Sequence, residues 1–107
     1  MDKGEIRIIG GKWRSRKLHF PTIKGLRPST DRTRETLFNW LMPYIVGTNV
    51  LDLFAGSGAL GFEALSRGAN SAIFVDKSKD VVNYLQKQFE LFKANNCLAF
   101  ASHIPFE

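Results

Sequence analysis

The 107 residues make room for one small domain or a piece of a larger one, and a hydrophobic content of 44% is that of a folded chain, not a disordered one. The longest apolar run, the five residues Cys97 to Ala101, is too short to cross a bilayer, and Met1-Asp2-Lys3-Gly4-Glu5 lacks the apolar stretch of a secretory signal. The formal charge of +5 is local: residues 1–36 carry ten Lys/Arg against four Asp/Glu, residues 37–107 five against six, which points to a basic arm facing a polyanion on a neutral body.

Residues 5–18, EIRIIGGKWRSRKL, are expected to form two short extended runs around Gly10-Gly11, a pair suited to the positive φ angles of a tight hairpin turn. In the second run Lys12, Arg14 and Arg16 recur every two residues, so a strand would carry all three on one face. Arg7, Lys17, Arg27 and Arg32 extend this patch, a candidate nucleic-acid contact. The alternative is a solvated basic edge that discourages strand pairing. Residues 19–29, with Pro21, Gly25 and Pro28, read as a loop, so that 1–29 forms a basic hairpin-and-loop unit and 30–107 the remaining unit.

Thr30 or Asp31 caps a helix expected to run to about Met42 and to stop at Pro43. Within it the bulky Phe38 and Trp40 are expected in the core rather than as platforms for stacking bases. A strand over Asn49 to Phe54 leads into the turn Ala55-Gly56-Ser57-Gly58, and a helix from Ala59 to Arg67 is closed by Gly68. A second strand covers Ser71 to Val75 and ends in Asp76. Ser78 then opens a helix whose Val81, Val82, Leu85, Phe89 and Phe92 mark one buried face. Cys97 to Ser102 reads as a third strand. Its cysteine, alone in the sequence, can form no internal disulfide, fits a reducing cytosol and is expected as a buried core thiol. Strands alternating with helices mean parallel βαβ units, hence an α/β fold with about three parallel strands, preceded by the hairpin.

The stretch from Val50 to Gly61, VLDLFAGSGALG, holds G-x-G-x-x-G between a strand and a helix, where glycines permit close backbone approach to a ligand. Asp76 falls twenty residues after Gly56, placed to accept hydrogen bonds from both hydroxyls of a ribose. As a bare pattern this fits a nicotinamide dinucleotide as well as S-adenosylmethionine. Asp52, four residues before Gly56, favours the second. At about 5 Å and an effective dielectric near 20 it would repel a pyrophosphate charge by roughly 3 kcal/mol. The methyl donor has no phosphate and carries an ammonium and a sulfonium.

DLFAGSGALGFEALSRGA resembles the cofactor loop of the RsmD-type 16S ribosomal RNA guanine-N2 methyltransferases, and IRIIGGKWRSRKL and LRPSTDRTRETLFNWL resemble two further segments of that family, in the same order. The resemblance covers residues 5 to about 95. It implies a Rossmann-like methyltransferase fold, incomplete here. Asp52, Phe54, Ala55, Gly56, Ser57 and Gly58 would cradle the methionine and ribose side of S-adenosylmethionine, Asp76 would hold the ribose hydroxyls, and Lys77 would flank the adenine. Thr30, Arg34 and Glu35 match the helix beside the methionine end, where Arg34 and Glu35 have either a site role or a place on a solvated helix face. The hairpin matches the family's RNA-contacting element. The implied partner is ribosomal RNA, in a small-subunit particle, in the cytoplasm; no membrane and no metal site are expected.

Two departures stand out. His103 occupies the position where the family has an Asp or Asn that accepts from the adenine amine; it is either such an acceptor or a surface histidine. The catalytic signature Asp/Asn-Pro-Pro-Phe/Tyr does not occur: Pro21, Pro28, Pro43 and Pro105 are never adjacent. The sequence therefore reads as one part of a larger enzyme, an expressed fragment, a shortened frame or a piece of a split enzyme, with no catalytic residue of its own and no turnover alone. A noncatalytic RNA-binding module with a vestigial pocket and an NAD-dependent oxidoreductase are the competing readings.

Overall fold

Antiparallel strands β1 (Lys3–Arg7) and β2 (Lys17–Pro21) pair with Ile6 opposite Leu18 and Arg7 opposite Lys17. The computed structural model describes residues 3–21, 30–53 and 55–102; Arg27, Phe54 and His103 lie outside them. Alternation sorts the hairpin: Ile6, Leu18 and Phe20 are buried, while Glu5, Arg7, Lys17 and His19 face outward.

Gly10-Gly11 is not the hairpin turn. The connection runs from Ile8 to Arg16, tied at its base by Ile8 N–H to Arg16 O (2.8 Å) and Ser15 N–H to Ile8 O (2.8 Å). Lys12, Arg14 and Arg16 therefore lie in this connection and share no strand face. The glycines answer to a distant helix: a Cβ on Gly11 would stand 1.9 Å from the carbonyl oxygen of Ser66. Close approach, not hairpin geometry, is what requires glycine there.

Helix α1 (Asp31–Ile45) starts at Thr30, whose Oγ1 accepts from Thr33 N–H at 3.1 Å. It continues through Pro43 to Ile45. The proline removes only a bond to the carbonyl of exposed Asn39, and burying Ile45 below Arg34 and Phe38 extends the helix one more turn. Trp40, expected in the core, is 71% exposed. The buried stripe Arg34, Phe38, Ile45 leaves residue 40 on the opposite side of the helix, so helical phase outweighs side-chain size.

Strands β3 (Asn49–Leu53), β4 (Ser71–Asp76) and β5 (Cys97–Ala101) form a parallel sheet in that order, joined by α2 (Ala59–Ser66) and α3 (Lys79–Leu91). Asp52, Ala72 and Phe74 turn inward, and Val81, Val82, Leu85, Phe89 and Phe92 are all buried, as the spacing predicts. Phe62 of α2 lies at the centre, within 5.3 Å of Phe74 and Phe92, 5.8 Å of Phe89 and 6.0 Å of Trp13 between ring centroids. Trp13 comes from the connection of the hairpin, so the basic segment and the parallel sheet share one hydrophobic cluster. Such aromatic pairs contribute about 0.5–1.5 kcal/mol each beyond their burial. Cys97 packs at the edge of this cluster, half-buried, and burial pushes its thiol up to about 11. Among the described residues no helix is long and apolar enough to cross a membrane.

Candidate functional site

The C-terminal ends of β3 and β4 lie side by side, with Leu53 opposite Val75, and the chain leaving β3 is held there by Ala55 N–H to Val75 O at 2.9 Å. The turn closes through Gly58 N–H to Ala55 O (2.9 Å). Gly58 is the N-cap of α2 with φ of 83°, the left-handed region that glycine enters without strain. Ser57 is buried; its Oγ accepts from Ala59 N–H at 3.3 Å, and its carbonyl accepts from the Tyr84 hydroxyl of α3 at 2.8 Å. Tyr84 thus pins the turn from below. The sequence reading passed over it because a tyrosine on an apolar stripe looks like core; its position three residues after Val81 was the available signal.

Two carboxylates border this turn. Asp52 Oδ2 accepts from Gly61 N–H at 3.2 Å, inside the first turn of α2. Burial raises its pKa to about 7; the Gly61 bond opposes that shift and the negative charge of Asp76 adds to it. Asp76 Oδ2 accepts from Gly56 N–H (3.0 Å) and Oδ1 from Ser78 N–H (3.0 Å), so both oxygens are aimed by the backbone of the turn and of the α3 cap. Asp52, Ala55, Gly56, Ser57, Gly58 and Asp76 therefore converge on one edge of the sheet. Lys77 follows directly and is exposed. Thr30 is engaged in capping α1.

The basic residues fall into separate groups. Arg7 and Lys17 are cross-strand neighbours, and Lys17 Nζ stands 3.4 Å from Glu5. Arg7 and Arg14 line an open groove of about 350 Å³ together with Ser15, Asp31 and Glu35. Lys12 Nζ lies 4.8 Å from the Trp13 ring. Arg16 is committed to the fold: its guanidinium lies 3.9 Å from the Phe92 ring centroid, and its Nη2 donates to Leu91 O at 3.2 Å, the C-terminal end of α3. Arg32 is exposed on α1.

A buried polar clamp joins the two groups. Glu63 of α2 accepts from Ile9 N–H (3.0 Å), Gly10 N–H (2.9 Å) and Arg67 Nε (2.8 Å), and lies 3.5 Å from Arg34 Nη1. Ser66 Oγ accepts from Trp13 N–H at 2.9 Å and donates to Gly10 O. Arg34, fully buried, also donates to Arg7 O and pairs with Asp31. It faces neither solvent nor the glycine turn; Glu35 is exposed. These partners are more than fifty positions apart in sequence for Glu63, which hides the clamp from any local reading.

The family described as conserved hypothetical protein 95 matches residues 6–104. The chain is 55% identical over 94 residues to ribosomal RNA small subunit methyltransferase D of Haemophilus influenzae, and 58% identical over 93 residues to the Escherichia coli protein of that name. Those matches cover 88% and 87% of this chain and 49% and 47% of the relatives. A solved structure of an Escherichia coli protein described as a methyltransferase superimposes with a TM-score of 0.84 at 55% identity, over 94% of this chain and 54% of that one. The chain spans about half the length of the curated relatives it matches. With the parallel sheet, the glycine turn and this degree of identity, the chain belongs to the conserved hypothetical protein 95 family, that of the ribosomal RNA small subunit methyltransferases D.

Proposed function

We propose that this chain is the S-adenosylmethionine-binding half of an enzyme that methylates the N2 amine of a guanine in small-subunit (16S) ribosomal RNA. The observation that carries the reading is the pair of carboxylates at the glycine turn, Asp52 buried against α2 and Asp76 aimed by Gly56 and Ser78. A pyrophosphate at this turn meets two negative groups; an ammonium or sulfonium is attracted by them. Each Asp76 oxygen has accepted one backbone N–H and has capacity for another donor, enough for the two hydroxyls of a ribose. Ala55, Gly56, Ser57 and Gly58 would line the cofactor, with Phe54 beside them, Lys77 toward the adenine and Thr30 toward the methionine end.

When bound, S-adenosylmethionine supplies an electrophilic methyl group. The chain's own residues orient that donor and exclude phosphate from its place. Guanine N2 is a weak nucleophile, because its lone pair is delocalised into the ring, so the reaction depends on alignment of amine and donor. The Asp/Asn-Pro-Pro-Phe/Tyr residues that would hold the base are not in this sequence, and no residue here is given a catalytic role. Arg7, Lys12, Arg14, Lys17, Arg27 and Arg32 would meet the RNA, with Arg16 supporting the segment that carries them. A ribosomal substrate places the protein in the cytoplasm, at the small-subunit particle.

Calorimetric titration with S-adenosylhomocysteine tests the site. Asp76→Ala should weaken binding about 10–100-fold, from roughly 1.5–3 kcal/mol of hydrogen bonds to a charged acceptor. Unchanged affinity in that variant would remove Asp76, and with it the ribose reading, from the site.

A further inference from the structure

The sheet has one bare face. Opposite the side packed on α2 and α3, Leu51 (60% exposed), Leu98 (56%) and Phe100 (51%) stand with Leu53 and Ile73 in the open. Register aligns them: Leu51, Ile73 and Leu98 form one row across three strands, and Leu53, Val75 and Phe100 the next. Single exposed apolar residues are ordinary, but two aligned rows on adjacent strands form a contiguous patch of the kind that marks an interface. Parallel sheets are stable with both faces covered, because their crossovers place helices there. Here the crossovers α2 and α3 cover one face, and β3, with its Val50, Leu51 and Leu53, is an edge of the sheet among the described residues. A strand of that composition is normally an interior one.

We infer that this face and the β3 edge dock the polypeptide homologous to the half of the curated relatives that this chain does not match, which would lay a parallel strand along β3 and an amphipathic helix across the Leu51 and Leu53 rows. The relatives are about twice as long as their matched portion, which leaves a segment of similar size to this chain to cover a sheet that is half-covered here. The inference rests on the family membership and the bare face, and does not depend on which cofactor or RNA the protein takes.

The test co-expresses the tagged 107-residue chain with the unmatched half of the Escherichia coli relative and measures the mass and affinity of the purified complex by sedimentation. The expected result is a one-to-one complex. Leu98→Lys and Phe100→Lys should each weaken it about 10–100-fold, from the lost burial of one large apolar side chain and its replacement by a charge. Leu91→Lys, exposed on the opposite layer, should leave it unchanged. Circular dichroism of each variant alone reports folding, and neither lysine lies in the packed core. Failure to form a complex, equal binding by all three variants, or a self-dimer of the 107-residue chain that Phe100→Lys breaks would each overturn the inference. The cofactor titration above stands or falls separately.

Discussion

Asp52 is destabilising to the free protein in its charged form, and the pH dependence of the chain should report this. Its folded pKa, about 7, lies well above the ordinary 3.8, so between these values the folded chain holds a proton that the unfolded chain has lost. Stability contributed by this proton is present below about pH 4 and is lost as the pH rises through 7. At 1.36 kcal/mol per unit the effect is of order 4 kcal/mol, read as a fall in denaturant midpoint between pH 4 and pH 8. Asp52→Asn should flatten that fall and be the more stable protein at pH 8. For the ligand the sign reverses. An ammonium prefers the carboxylate, so affinity for S-adenosylhomocysteine should rise toward tenfold per pH unit from 5 to 7, and Asp52→Asn should bind weakly with no such rise. A flat affinity profile in the unmutated chain would show that Asp52 does not face the cation. The residues of the turn were legible in sequence because glycine spacing and the interval to Asp76 are local patterns. Trp40 was misread because its size suggested burial, whereas the phase set by Arg34, Phe38 and Ile45 decides which side of α1 is covered.

At the level of elements, α2 links the glycine turn at its N-terminus to the basic segment at its C-terminal half. Glu63 and Ser66 supply the acceptors that Ile9, Gly10 and Trp13 would otherwise take from water or a strand partner. Glu63→Gln keeps the volume and one acceptor but leaves buried Arg34 without that partner. It should cost roughly 3 kcal/mol of stability, measured by denaturant unfolding, and raise hydrogen exchange at the Ile9 and Gly10 amides. The same geometry changes how the charge excess should be tested. Replacing Arg16 removes a stacking and capping contact along with a charge, so a Lys12, Arg14, Arg16 triple variant mixes folding with binding. Arg7, Arg14 and Lys17 border one region of the hairpin and its groove. Changing these three to Gln should reduce the slope of log K against log salt by about 2, at roughly 0.7 per phosphate contact on single-stranded RNA, while the melting temperature barely moves. An unchanged slope would leave the basic excess as a solvated edge. The hairpin strands were legible from alternation, but its turn was not. Gly10 and Gly11 look like a local turn signal, and the reason for them is a helix more than fifty residues away.

Across the whole molecule, order and class of the elements followed from periodicity alone, since each βαβ unit writes its own apolar pattern into contiguous sequence. What the sequence could not show is the sharing of one aromatic cluster by Trp13, Phe62, Phe74, Phe89 and Phe92, which joins the hairpin to the sheet, or the apolar face left open opposite it. Both are properties of packing between distant segments. The central claim is that the glycine turn with Asp52 and Asp76 selects a cationic methyl donor over a phosphate-bearing dinucleotide. Thermal melting of the chain with either S-adenosylhomocysteine or NAD is the most direct measurement of it. At about 100 times its dissociation constant a bound ligand adds roughly 2.7 kcal/mol of stability, several degrees in a domain of this size. The account predicts such a rise with S-adenosylhomocysteine and none with NAD at equal concentration; an equal or larger rise with NAD would contradict it.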